Sequence, residues 1–136
     1  MLIRKRRKKT GGAIVETVAG LFVLIPVVLF LVDVVAMVLA QMAHDALAKD
    51  CARAAAEETN AGAATTAVGN VISSFSSPVL QIQAGPVVDY NGTIPETVRV
   101  QTTAIFTFPV PIPFWQNSNQ TFVAEAREPI VGVLPQ

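Results

Sequence analysis

An uninterrupted apolar run from Val18 to Val32, VAGLFVLIPVVLFLV, limits what this chain can fold into more than any other feature. After Asp33 the apolar character continues through VVAMVLA to Ala40. A helix needs about 20 mainly apolar residues to cross a hydrocarbon core of about 30 Å. Residues 17–40 therefore predict a membrane-spanning helix with one acidic interruption.

A block of six basic residues precedes the first acidic residue, Glu16; its members are Arg4, Lys5, Arg6, Arg7, Lys8 and Lys9. The whole chain has ten Lys plus Arg and ten Asp plus Glu, for a formal net charge of +0. Four bases and ten acids therefore follow the block, a net charge of −6. By the positive-inside rule the block stays in the cytoplasm, and the residues after Ala40 lie on the opposite side of the membrane.

An export signal is the alternative interpretation of the same region. It also combines a basic region with an apolar run, and Val38-Leu39-Ala40 is an acceptable small-residue cleavage site. A secreted protein would then begin at Gln41. However, the apolar run exceeds the usual ~7–15 residues of a signal core, and Asp33 would interrupt that core. These features favour the anchored helix.

The helical pattern extends beyond the membrane candidate. Residues 41–58, QMAHDALAKDCARAAAEE, are rich in Ala and contain neither Gly nor Pro, so their helix propensity is high. We predict one helix from about Ala13 to Glu58, on the order of 70 Å long, with His44 exposed to solvent. The packing stripe predicted for its outer half consists of Ala43, Leu47, Cys51 and Ala54 or Ala55.

Glu16 follows Gly11-Gly12-Ala13-Ile14-Val15, one turn into the predicted helix. A carboxylate costs about 2.5–3.5 kcal/mol at the centre of a membrane helix and less near the interface. A function or a partner for Glu16 is therefore expected. The alternative is a first-turn acid that the helix dipole favours at the cytoplasmic surface.

The order of basic leader, Gly, four residues, Glu and long apolar helix resembles the class III signal of type IV pilin-like proteins. More narrowly, residues 4–56 resemble TadE-like pseudopilins of the Tad (Flp, type IVc) pilus system. The matching positions are Gly12 to Glu16, Pro26, Asp33 and the segment DCARAAA at 50–56. Two positions depart from that pattern: Thr17 replaces an aromatic residue, and Pro26 lies further from Glu16 than the family pattern has it.

The resemblance implies a minor pilin or pseudopilin that acts in pilus assembly, surface adhesion or DNA uptake. A prepilin peptidase would cut after Gly11, or after Gly12, and Glu16 would serve peptidase recognition and assembly. Pro26, Asp33 and Cys51 are candidates for helix-packing or intersubunit contacts. The alternative for Asp33 is that it marks the outer headgroup boundary, and Cys51 is either a packing residue or part of an intersubunit disulfide. The implied partners are the peptidase, other Tad pilins and pseudopilins, the inner-membrane assembly platform and membrane lipid. The implied location is the bacterial inner membrane and then the pilus.

The chain after the long helix predicts a small β domain. The predicted organisation is a leader at 1–11, the long helix at 12–58, a linker at 59–77 with a short helix near Ala63 to Phe75, and an antiparallel β domain at 78–136. Its expected strands are 79–88, 97–108 and 120–127, with a hairpin turn at Asn91-Gly92. Phe114 and Trp115 form either a partner surface or part of the domain's own core.

Catalytic and metal-binding patterns are missing from the sequence. It contains no GxSxG, P-loop or HExxH motif. One Cys and one His exclude a disulfide framework within the chain and a Cys-rich zinc site. A membrane-flanking basic block is also a poor nucleic-acid site. We therefore expect a structural protein without cofactor, metal or direct nucleic-acid partner. The main alternative is a permanently anchored single-span protein with an extracytoplasmic β-rich binding domain.

Overall fold

The computed structural model describes residues 10–91, 96–110 and 119–131. Within these residues the chain forms two helices and four strands, and the strands build one antiparallel sheet. This confirms the predicted α+β class, a long N-terminal helix that continues into a domain with a small antiparallel sheet. The elements in chain order are α1 (Thr10–Ala56), α2 (Ala61–Ser74), β1 (Leu80–Ile82), β2 (Val87–Asn91), β3 (Thr97–Thr107) and β4 (Asn119–Pro129).

Helix α1 is continuous over 47 residues, a length of about 70 Å at 1.5 Å per residue. Pro26 lies inside the helix without ending it, although its nitrogen cannot donate a backbone hydrogen bond. The helix begins at Thr10, before the predicted Ala13, and it ends at Ala56, before the predicted Glu58. The carbonyl of Ala56 accepts a hydrogen bond from the backbone N–H of Val131 at 2.9 Å, and Asn60, with extended dihedral angles (φ −155°, ψ 160°), starts a second helix.

Helix α2 occupies the segment in which the sequence predicts a short helix. Asn60 is its N-cap, and the Asn60 Oδ1 accepts a hydrogen bond from the backbone N–H of Ala63 at 2.9 Å. This bond satisfies one of the N–H groups that a helix start leaves unpaired. Ala64 and Val68 are buried in the core that α2 shares with α1 and the sheet.

Strand β3 is the central strand of the sheet. Strand β4 pairs with one edge of β3 along its full length, from Thr97↔Pro129 to Thr107↔Asn119. The other edge of β3 is shared by β1 and β2. The strands predicted at 97–108 and 120–127 are therefore present as β3 and β4, with bounds that differ by one or two residues.

The predicted continuous strand 79–88 is wrong, because it is interrupted between β1 and β2. Ile82 and Val87 are five residues apart, whereas their partners Ala104 and Gln101 are three apart, so the interrupted side holds two extra residues. Gly85 within this bulge has φ 89°, a backbone conformation that glycine adopts without steric cost. Because the number of extra residues is even, side chains alternate between the two faces of the sheet in the same phase before and after the bulge.

One face of the sheet packs on the outer half of α1. In β3 the inward residues are buried and the intervening ones, up to Ile105, are half-buried. Two apolar clusters result, and we name them by their distance from the N-terminal half of α1. The proximal cluster contains Ala40, Leu80, Ala104 and Phe106. The distal cluster contains Leu47, Ala48, Cys51, Ala52, Ala55, Ala56, Ala64, Val68, Val98, Val100, Ala124, Ala126 and Ile130.

The buried stripe of α1 differs in phase from the predicted one. Leu47, Cys51 and Ala55 are buried as predicted, but Ala43 is exposed and His44 is fully buried. The predicted solvent exposure of His44 is thus wrong. Position 44 lies four residues from Ala40 on one side and from Ala48 on the other, and both are buried under the sheet, so a period near 3.6 places His44 on the same face.

Candidate functional site

The N-terminal half of α1 is an isolated apolar rod. All residues from Gly12 to Val32 are exposed, and we call them the bare segment. Its 21 residues span about 31 Å, which matches the ~30 Å hydrocarbon core of a bilayer. Phe22 is 77% exposed and Val23 is 68% exposed. By length and composition this helix could cross a membrane.

The residues of the predicted processing site lie in the first turns of α1. Gly11 and Gly12 are both helical, and a Cβ added at Gly12 would meet nothing within 4 Å apart from the adjoining backbone of its own helix. Glu16 is exposed. No hydrogen bond or ion pair joins Glu16 to any residue that the structure describes, so its carboxylate is available to another molecule. The basic leader at 1–9 lies outside the described residues.

Pro26 lies near the middle of the bare segment. With Val18, Leu21, Phe22 and Ile25 it lines an apolar surface depression of about 310 Å³. The depression lies on a helix that no other described element covers, so a side chain from a neighbouring helix or a lipid chain would have access to it. The structure therefore places Pro26 where a helix-packing contact could form.

Asp33 directly follows the bare segment and is only 2% exposed. One of its carboxylate oxygens, Oδ1, accepts a hydrogen bond from the backbone N–H of Val110 at 3.1 Å. Val110 follows the end of β3, so Asp33 fixes the chain leaving the sheet to the surface of α1. The contact of Asp33 seen here is thus within the subunit.

Beyond Asp33 the sheet covers only one side of α1. The other side presents Val35, Val38, Leu39 and Met42, which are 54–63% exposed; we call this set the uncovered stripe. It runs on toward a depression of about 370 Å³ between α1 and α2, which is lined in part by Ala43, Ala46 and Phe75. The apolar surface of the bare segment is therefore continuous with an apolar surface beside the folded domain.

Cys51 lies in the middle of the distal cluster and is fully buried. Burial, with a smaller contribution from the adjacent Asp50, raises the pKa of its thiol to about 11. A thiol that is both protonated and inaccessible is a poor nucleophile. An intersubunit disulfide through Cys51 would require the core to open, whereas its packing role is compatible with the fold as it stands.

The face of the sheet that points away from α1 carries a charge cluster. Arg99 Nη2 donates to Glu125 Oε2 at 2.6 Å, and Arg127 Nε donates to Glu125 Oε1 at 3.2 Å. The hydrogen bond from Arg99 lowers the pKa of the Glu125 carboxyl, and Glu125 in turn raises the pKa of Arg99. With Asp89 nearby, bases and acids are equal in number, so the cluster offers no net charge to an ionic ligand. Within the described residues no group of three His, Cys, Asp or Glu side chains could hold a metal ion.

Two polar contacts were not predicted from the sequence. His44 Nε2 and Thr102 Oγ1 lie 3.0 Å apart inside the core, and Asp33 binds the backbone of Val110. For the contact between His44 and Thr102, the one signal in the sequence is the alternation of the strand, which predicts that the Thr102 side chain faces inward. No sequence pattern identifies a backbone N–H as the partner of Asp33.

The residues with predicted roles are spread along α1 rather than gathered into one pocket. Glu16 and Cys51 are separated by on the order of 50 Å of helix, and Phe114 and Trp115 lie outside the described residues. Comparison of the chain with protein-family models, with curated proteins and with solved structures gives no match. The function proposed below therefore rests on the sequence pattern and on the geometry of α1.

Proposed function

We propose that this chain is a TadE-like minor pilin or pseudopilin, matured by a prepilin peptidase and used in a Tad pilus for adhesion, surface colonisation or DNA uptake. The observation that carries the proposal is the division of α1. Its bare segment is long enough for a bilayer, and its outer half carries a small domain on one side. This arrangement suits a subunit that is held in a membrane before assembly and packs through its helix afterwards.

Processing follows from the residues around the start of α1. Cleavage after Gly11 removes all six leader bases and leaves Glu16 as the one charged side chain between residues 12 and 32. The new α-amine lies about one turn from Glu16. An amine and a carboxylate from neighbouring subunits would lower each other's cost of burial among apolar helices. The open surroundings of Gly12 and the unpartnered carboxylate of Glu16 support this assignment.

The proposed topology places the leader in the cytoplasm and the sheet outside the inner membrane. The uncovered stripe supports helix packing as the mode of assembly. It lies past the end of the bare segment, beside the folded domain, and continues the apolar surface of the bare segment. Exposed apolar surface in water is unfavourable at about 25 cal/mol per Å². Contact with other pilins or pseudopilins would remove this surface from water, while the peptidase and the assembly platform act on the same helix in the membrane.

The N-terminus of the mature protein tests the proposal. The full-length gene product is expressed with a prepilin peptidase, purified from membranes, and measured by intact mass and N-terminal sequencing. We expect a start at Gly12 and the loss of the leader mass. A start at Ala13 would indicate the neighbouring cut.

Matched glycine variants make this experiment specific. Gly11→Leu is expected to leave the leader attached, because the peptidase requires a small residue at the cut. Gly20→Leu is the control, since Gly20 lies in the same helix and an added Cβ meets nothing within 4 Å. A wild-type start at Met1 contradicts the proposal and supports a permanently anchored single-span protein. A start at Gln41 supports a secreted one.

A further inference from the structure

A buried polar pair lies between the two apolar clusters on both α1 and β3. His44 of α1 is 0% exposed and Thr102 of β3 is 1% exposed. His44 Nε2 and Thr102 Oγ1 are 3.0 Å apart. On α1, His44 lies between Ala40 of the proximal cluster and Leu47 of the distal cluster. On β3, Thr102 likewise lies between Ala104 and Val100.

The second ring nitrogen of His44 has no partner among the residues that the structure describes. His44 Nδ1 is buried without a hydrogen bond. A neutral imidazole tolerates this arrangement, because it carries only one N–H and that proton can lie on the nitrogen facing Thr102. A protonated imidazole carries two N–H donors and a positive charge. It would leave one donor unpaired in an apolar interface, which is strongly unfavourable.

Among the residues that the structure describes, the charges around His44 compensate its protonation only in part. On α1 the neighbouring Asp45 and Lys49 are exposed, and Asp45 is the one charged residue that favours the protonated form. On the strands, Asp89, Arg99, Glu125 and Arg127 lie on the outward face of the sheet. Glu128 pairs with Arg53 at 4.0 Å, toward the far end of α1. Tyr90 donates to the carbonyl of Glu58, and α2 contains no titratable side chain.

We propose that His44 is a pH-sensitive clasp between α1 and the sheet. While the imidazole is neutral, it holds the sheet on α1, and its protonation opens the proximal cluster. Opening there would also free Val110 from Asp33 and expose more of α1 next to the bare segment. This inference depends on the fold alone and stands whether or not the chain is a pilin.

The direction of the pH effect follows from burial. Burial lowers the pKa of His44 below its ordinary value of 6.5, partly offset by Asp45. Below pH 6.5 the open state therefore binds more protons than the closed state. The contribution of neutral His44 to the stability of the closed state is fully present above pH 6.5. It is lost as the pH falls below 6.5 and through the lowered pKa of the closed state. The closing equilibrium constant then drops by up to about tenfold per pH unit.

NMR of the full-length protein in detergent micelles, without a histidine tag, tests the clasp. The chain has one His, so its imidazole signals can be assigned without a variant that lacks the histidine. We expect the closed state to titrate below pH 6.5. We also expect amide hydrogen exchange at Ala104 and Phe106, corrected for intrinsic rates, to accelerate more between pH 7.5 and pH 5.5 than exchange at Val98.

The control variant is His44→Gln, which keeps a neutral polar side chain of similar size. Its amide exchange at Ala104 and Phe106 is expected to be insensitive to this pH change. A closed-state pKa of 6.5 or higher would overturn the proposal. So would equal acid sensitivity of wild type and variant. If His44→Gln fails to fold, the imidazole titration of the wild-type protein decides. A closed-state pKa below 6.5 supports the proposal, and a value of 6.5 or higher overturns it.

Discussion

Asp33 is the residue at which α1 changes from an uncovered rod to one wall of a folded domain. Its side chain is nearly inaccessible, and its hydrogen-bond partner is the backbone N–H of Val110, which follows the end of β3. A charged acceptor usually forms a stronger hydrogen bond than a neutral one. Asp33 therefore fixes the end of the domain that lies nearest to the bare segment.

Replacing Asp33 tests this role. Asp33→Ala leaves the Val110 N–H without its acceptor, and we expect a loss of about 1–3 kcal/mol in the free energy of unfolding. Asp33→Asn keeps a carbonyl acceptor and should lose less. Chemical denaturation in micelles provides the measurement. Asp45→Ala, at an exposed acid of the same helix, is the control and should change stability by less than about 0.5 kcal/mol. Equal effects of Asp33→Ala and Asp45→Ala would contradict the role.

At the scale of elements, the sequence predicts the parts whose periodicity is long and regular. β3 alternates over 11 residues, and Pro26 is the one proline within α1, so both elements could be predicted. The break in the first strand has a sequence signal that the prediction passed over, since Gly85-Pro86 is typical of a turn, whereas the two extra residues are evident only from the pairing register. The burial of His44 was missed because an Ala-rich helix has little contrast between its faces, and the sheet decides which face is covered.

The start of α2 provides a test at this scale. Asn60→Ala removes the side-chain acceptor for the Ala63 N–H, and we expect about 1 kcal/mol of destabilisation. Asn60→Asp retains the cap and should be close to wild type. Asn70→Ala is the matched control, because Asn70 is exposed within α2 and contributes only its backbone carbonyl to a side-chain contact, with Ser73. Thermal unfolding followed by circular dichroism compares the three variants. If Asn60→Ala and Asn70→Ala unfold at the same temperature, the cap contributes nothing.

At the scale of the whole molecule, the neutral formal charge conceals two regions of opposite sign. The +0 of the full chain combines six bases in the leader with a remainder of −6. If the leader is removed, the mature subunit is acidic, and its bare segment holds one carboxylate, no basic side chain and the new α-amine at Gly12. The overall division into helix and sheet was predictable from the sequence, whereas the intramolecular partner of Asp33 and the uncovered stripe required the three-dimensional structure.

Glu16 tests the proposed assembly directly. Glu16→Ala should block incorporation into pili, because the apolar helices lose the carboxylate that would pair with a neighbouring α-amine. Membrane insertion and leader removal should persist. Sheared pili and membrane fractions are compared by immunoblotting. Thr17→Ala is the adjacent control, since Thr17 bonds only the carbonyl of its own Ala13. Normal incorporation of Glu16→Ala would contradict the assembly role of this residue.

The continuity of α1 through Pro26 and Asp33 fixes the angular position of the domain. An α-helix turns by about 100° and rises 1.5 Å for every residue. One residue inserted into the bare segment would therefore swing the sheet by about 100° around the helix axis while raising it by only 1.5 Å. The azimuth of the domain is thus far more sensitive than its height to the number of residues in the bare segment.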